Sequence, residues 1–220
     1  MKPRSPPAKR PAARTARRTY HHGDLETALL DAADALVAEK GPAGFSLREA
    51  ARVVGVDPAA CYRHFRDREA VLQALARRGF TRLATTFADV ADAARRKKPV
   101  DVVRALGHTY VQFAVAAPSA FRAMFGPNGF DARDPRLRGD YRDGIGAYER
   151  LQRTISAWAT ADGLSIEIED ASLVLWSGVH GFAMLFVDGA LRFNHDAHRD
   201  RVVDALLSTM IAGLEARGRS

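Results

Sequence analysis

The sequence predicts an all-α protein, on three observations. Apolar residues recur at intervals of three and four through most of the chain, which is the one-sided pattern of a packed helix. No stretch sustains the period-two alternation of a strand. Helix start and stop residues also fall where the periodic segments begin and end.

The first helix is expected after Asp24, with Leu25, Ala28, Leu29, Ala32, Ala33, Leu36 and Val37 on its inner face, ending at Gly41-Pro42. Ser46 followed by Glu49 makes a capping box for a short second helix carrying Leu47, Ala50, Ala51 and Val54, which Gly55 stops. Asp57 caps a third helix with Pro58 at its first position, where the missing N–H costs nothing; that helix should close at Phe65. A long fourth helix runs from Asp67 to about Lys98, with Val71, Leu72, Leu75, Phe80, Leu83, Phe87 and Val90 inward and the cations Arg95, Arg96, Lys97 and Lys98 complementing its C-terminal dipole. Helical pattern resumes from Pro99 to Ala117 and from Ser119 to Phe125. The Gly- and Pro-rich segment 126–135 reads as a loop, and three helices follow at about 136–161, 167–191 and 197–216.

Composition narrows the class of protein. The 220 residues are 47% hydrophobic and 27% charged, enough to bury a core. One cysteine excludes an internal disulfide framework and a multi-cysteine zinc site, and it suits a reducing, cytoplasmic setting. The net charge of +7 is concentrated in residues 1–20, which hold seven basic residues and no acid, leaving 26 basic against 26 acidic residues elsewhere. Four prolines keep that arm from folding as a helix, so it reads as an extended basic tail seeking a polyanion, and they spoil the amphipathic helix of a transit peptide. The apolar stretch 171–187 is short for a membrane span and is interrupted by Gly178, His180 and Gly181; it reads as a central bundle helix.

The two short helices flanking Gly55 form a helix-turn-helix between Ser46 and Phe65, an arrangement that sends its second helix into the major groove of DNA. Ala59 and Ala60 permit close approach and contact with thymine methyls, while Tyr62, Arg63 and His64 bring donors to phosphates or bases. From Tyr20 to about Phe80 the sequence resembles the DNA-binding domain of the TetR family of bacterial regulators. The resemblance rests on Tyr62-Arg-His-Phe65 followed by Asp67-Arg68-Glu69. It implies phosphate contacts for Tyr62 and His64, a base-reading place for Arg48 beside Ser46, and a further DNA contact for Arg68, which stands where the family usually has Lys. Ala60 replaces a frequent Thr or Ser, removing one hydroxyl donor.

Trp176-Ser-Gly-Val-His180-Gly181 resembles a Trp, three residues, His-Gly mark found in one subgroup of that family's C-terminal regulatory domains. The resemblance implies three segments: the arm at 1–20, a DNA-binding domain at 21–66, and a ligand-binding and dimerising domain at 67–220 whose last two helices pair in a homodimer. Its partners are then an operator in double-stranded DNA and a small hydrophobic or amphipathic effector, with neither cofactor nor metal. Candidate pocket residues are Phe113, Phe125, Tyr148, Trp176 and His180, all but His180 drawn from an aromatic set that also contains Phe121 and Tyr141. Trp176 and His180 are four apart and share one helix face.

Other polar residues have plainer readings. Cys61 shares an inner face with Phe65 and reads as a buried small hydrophobe rather than a redox sensor. His195 and His198 read as cap and surface before metal ligands, and Glu167, Glu169 and Asp170 as the acidic opening of a helix. His180 either bonds within the bundle or points a donor at a ligand. Two other functions remain: an architectural DNA binder using its basic arm, and an enzyme. The second lacks a nucleophile and base motif, a phosphate loop or a dinucleotide fingerprint.

Overall fold

The computed structural model describes residues 22–126 and 142–219, and among them are nine helices and no strand. These are α1 (His22–Lys40), α2 (Leu47–Val54), α3 (Pro58–Cys61), α4 (Arg68–Ala93), α5 (Pro99–Ala116), α6 (Pro118–Phe125), α7 (Arg142–Asp162), α8 (Ile168–Val187) and α9 (Asp196–Gly218). The basic arm, the expected loop beyond Gly126, and residues 136–141 including Tyr141 lie outside the described residues.

The N-terminal helices form where the caps predict, with one shift. α1 begins at His22, so Asp24 is its third residue rather than its cap, and Gly41 ends it with φ 75° and its N–H on the Val37 carbonyl. Ser46 and Glu49 complete both bonds of the capping box, Glu49 also receives Lys40 Nζ at 2.8 Å, and Gly55 leaves α2 with φ 78°, a conformation that suits glycine. Replacing Ser46 by Ala should cost about 1 kcal/mol, seen as a fall in melting temperature of roughly 2–4 °C by calorimetry.

α4 is the spine, about 39 Å long at 1.5 Å per residue. It starts from the Asp67 cap, whose side chain accepts from the Ala70 N–H, and packs along α5, α6 and α7. Gly79 permits the α6 crossing, since a Cβ there would lie 2.5 Å from the sulfur of Met124. Three further bonds hold α1 to this spine and to α6: Arg78 pairs with Asp31 and with Asp34, and the buried Ser119 hydroxyl donates to Asp34.

α4 ends at Ala93, earlier than expected, and the cationic run 95–98 lies in the turn to α5. Pro99 holds Lys98 in extended backbone (ψ 141°), so the helix cannot run through to Lys98, and the chain turns over residues 94–97 before it.

α8 is long and apolar enough to cross a membrane. Here Ala171, Ser172, Leu175, Val179, Phe182, Ala183 and Val187 are buried against α5, α7 and α9, the central role expected for it. Its outer side leaves Val174 and Leu185 exposed. It stops at Val187 rather than 191, since Gly189 turns the chain at φ 78°. In α7, Trp158 is fully buried and donates its indole N–H to Asp162 at 3.0 Å.

Candidate functional site

Two sites lie along α4. At its N-terminal end is the helix-turn-helix. The short α3 has regular helix only to Cys61; Tyr62, Arg63 and His64 continue as tighter turns, and the Phe65 N–H returns to the Cys61 carbonyl. The expected helix to Phe65 is thus one α-helical turn followed by turns. Cys61 and Phe65 are buried, as their spacing requires, and burial pushes the Cys61 thiol up, with Asp57 adding to it.

Arg48, Ala59, Tyr62 and Arg63 are exposed and Ala60 is half-buried. Tyr62, a large aromatic, is 51% exposed, a costly position for a side chain that serves packing alone. The other three candidates are engaged within the chain. Ser46 Oγ serves the capping box. The His64 side chain is only 11% exposed, with Nδ1 3.8 Å from Glu26 of α1. Arg68 donates to the Ala43 carbonyl at 2.9 Å, tying the start of α4 to the turn before α2. The helix-turn-helix therefore presents Arg48, Tyr62 and Arg63 to solvent, while His64 and Arg68 also hold it to its neighbours.

The second site is a cavity of about 580 Å³ lined by α4, α5, α7 and α8, with Phe125 of α6 and Leu207 of α9. Phe80, Leu83 and Phe87 of α4 form one wall. Of the expected pocket residues Phe125, Tyr148, Trp176 and His180 line it. Phe113 does not: it is buried beside α4, its ring 5.7 Å from the Arg82 guanidinium. Residues 110 and 113 are three apart on α5, which is about 60° around the axis, enough to send one ring to the cavity and the other past it.

The residue that sequence reasoning missed is Tyr110. Its hydroxyl lies 2.8 Å from His180 Nδ1 and accepts from the Trp176 indole N–H at 3.3 Å. The rings pack closely: His180 is 4.7 Å from Phe125 and 5.5 Å from Trp176, and Tyr148 is 5.8 Å from Trp176. The available signal was a tyrosine on the buried stripe Val103, Leu106, Tyr110, since a buried hydroxyl must find a partner.

Burial fixes the charge state of this cluster. It pushes the Tyr110 hydroxyl far above its ordinary range, offset in part by the Trp176 hydrogen bond, and it lowers His180, so both are neutral near pH 7. Tyr148 is raised by burial and then by the Glu169 carboxylate. Glu169, expected only as a helix-opening acid, does occupy the first turn of α8 and also lines the cavity. Glu167 stands at the cap position without a side-chain cap bond. His195 is the cap of α9, accepting from the His198 N–H at 3.1 Å.

Comparison with known proteins agrees with both halves. Residues 29–75 match the model for bacterial regulatory proteins of the tetR family, and residues 103–210 match the tetracyclin repressor-like C-terminal domain; together they cover about 70% of the chain. A solved structure of a protein of unknown function from Rhodococcus sp. RHA1 is 30% identical, covering 90% of this chain and 100% of that one with a TM-score of 0.75. The TetR family transcriptional regulator PfmR from Thermus thermophilus shares the fold at 20% identity and TM-score 0.65, covering 85% of this chain and 98% of that one. The uncharacterized HTH-type transcriptional regulator YobS of Bacillus subtilis is 31% identical over 101 residues, and this chain spans about half (51%) of its length and 46% of its own.

Proposed function

The chain belongs to the TetR family of bacterial regulatory proteins, and from that premise we propose that it is a homodimeric transcriptional repressor that leaves its operator when a small apolar ligand fills the cavity. The observation that carries this reading is that one helix serves both sites: α4 is anchored to the helix-turn-helix through Arg68 and, about 18 Å further along, lines the cavity with Phe80, Leu83 and Phe87. A ligand that favours one α4 orientation shifts the population of head positions, and heads that no longer match successive major grooves release DNA.

Residues 21–66 are then the reading head, with Arg48, Tyr62 and Arg63 at the DNA, Ala59 and Ala60 approaching it, and Ser46, His64 and Arg68 bordering it. Residues 67–220 are the ligand and dimer body, and the arm at 1–20 adds charge. The exposed apolar residues Val174 and Leu185 suit pairing of α8 with a second copy, with Gly181 between them leaving room for a close approach.

Selection of bound DNA from a random pool, followed by mobility shift, tests the reading. The expected result is a two-fold-symmetric site bound by a dimer. Equal retention of all sequences would instead identify an architectural binder, and no retention would remove DNA from the function altogether.

A further inference from the structure

The polar groups on the cavity wall can be assigned from their hydrogen-bonding capacities. The Trp176 indole N–H only donates, and its partner is the Tyr110 oxygen. The contact between Tyr110 and His180 Nδ1 can run either way. If Nδ1 carried the proton, the Tyr110 O–H would be left without an acceptor among the described residues, in a place that is almost fully buried. All three groups are satisfied in one arrangement only: Trp176 N–H to Tyr110 oxygen, Tyr110 O–H to His180 Nδ1, and the ring proton of His180 on Nε2. Nε2 has no hydrogen-bond partner among the described residues, and the ring lines the cavity. The relay thus leaves one donor of fixed direction on a mainly apolar wall, whose other polar groups among the described residues are the Tyr148 hydroxyl and the Glu169 carboxylate.

The rest of the lining decides what that donor receives. Among the described lining residues there is no lysine or arginine, and the one charged group is Glu169. Among these described residues an anionic effector would find no cation to offset its lost hydration, and it would be repelled by that carboxylate. A hydroxyl at His180 would accept the bond but bring a proton of its own beside the rings of Phe125 and Trp176, with Glu169 eleven residues back along the same helix and the Tyr148 hydroxyl already a donor in need of an acceptor itself. A carbonyl accepts and brings nothing to satisfy.

Resting on the ligand-release reading above, we infer that the effector is an uncharged lipophilic carbonyl compound whose oxygen accepts from His180 Nε2, in a geometry fixed by Tyr110 and Trp176. Trp176 and Tyr110 are positioning residues here, and His180 is the contact.

Three ten-carbon probes test this by titration calorimetry on the full-length protein: 1-phenylbutan-1-one, butylbenzene and 4-phenylbutanoate. Wild type should bind the ketone roughly fivefold more tightly than the hydrocarbon, the worth of one net hydrogen bond, and the carboxylate at least about tenfold more weakly than the ketone. His180→Phe should remove the ketone's advantage, so that the ketone and butylbenzene bind about equally. Nitrogen NMR of the wild-type histidine should show the proton on Nε2, and Tyr110→Phe should mix the two tautomers.

Equal affinity for ketone and hydrocarbon, a ketone preference surviving His180→Phe, or a proton on Nδ1 would overturn the inference while leaving the cavity as a ligand site. The carboxylate binding most tightly would overturn the uncharged class. Failure of all three probes to bind would take the cavity reading down with it.

Discussion

A chain carrying Arg48→Ala, Tyr62→Phe and Arg63→Ala together should fold as wild type does and bind its selected DNA roughly a thousandfold more weakly. The size follows from removing two guanidinium contacts and one hydroxyl, each worth about 1–3 kcal/mol where it reads a base and less at a phosphate. The folding half of the expectation follows from exposure: all three side chains point to solvent and no core contact is lost. Loss of the two arginines should also lower the slope of log affinity against log salt by as much as about two. Mobility-shift titrations at several salt concentrations, paired with thermal melts, measure both. A variant that holds affinity within about tenfold of wild type would show that the protein meets DNA with another surface.

Phe121→Ala should produce the largest change in stability, about 3–5 kcal/mol, or roughly 6–20 °C in melting temperature. Phe121 is fully buried behind the cavity wall, with its ring 5.0 Å from Phe125, 5.6 Å from His180 and 5.7 Å edge-on to Tyr110. Its removal leaves a void beside the relay rather than inside the cavity. An apolar aromatic probe such as butylbenzene should therefore restore part of the lost melting temperature. Scanning calorimetry at fixed protein concentration, with and without the probe, checks both parts. A variant melting within about 2 °C of wild type would mean that α5 and α6 collapse onto the site.

The DNA-binding end was nearly all legible in the sequence, because its structure is written in local chemistry. Ser46 with Glu49, Asp57 with Pro58, Asp67, and the glycines at 41 and 55 act on backbone groups within four residues of themselves, and each does in the fold what its type predicts. What local signals left out are the contacts between elements. His64 has the chemistry of a DNA contact, yet it is drawn in beside Glu26, a residue 38 positions earlier. Phe113 and Tyr110 share a helix and an inward stripe, but periodicity gives an angle about one axis and does not say which neighbour waits there. That α4 stops short of Lys98 was readable, since the backbone restriction imposed by Pro99 on Lys98 outweighs the favourable placement of cations in a last turn; its end as early as Ala93 was not.

The two tryptophans divide the molecule's optical signals between a silent place and an informative one. Trp158 is sealed in the core with its N–H held by Asp162, so its emission should respond to unfolding and to little else. Trp176 borders the cavity, in contact with Tyr148 and hydrogen-bonded to Tyr110, where any occupant displaces solvent from the ring and changes its quenching by the adjacent imidazole. A Trp158→Phe chain is therefore a single-emitter sensor, able to report ligand occupancy in real time and in the presence of DNA, without a dye or a label.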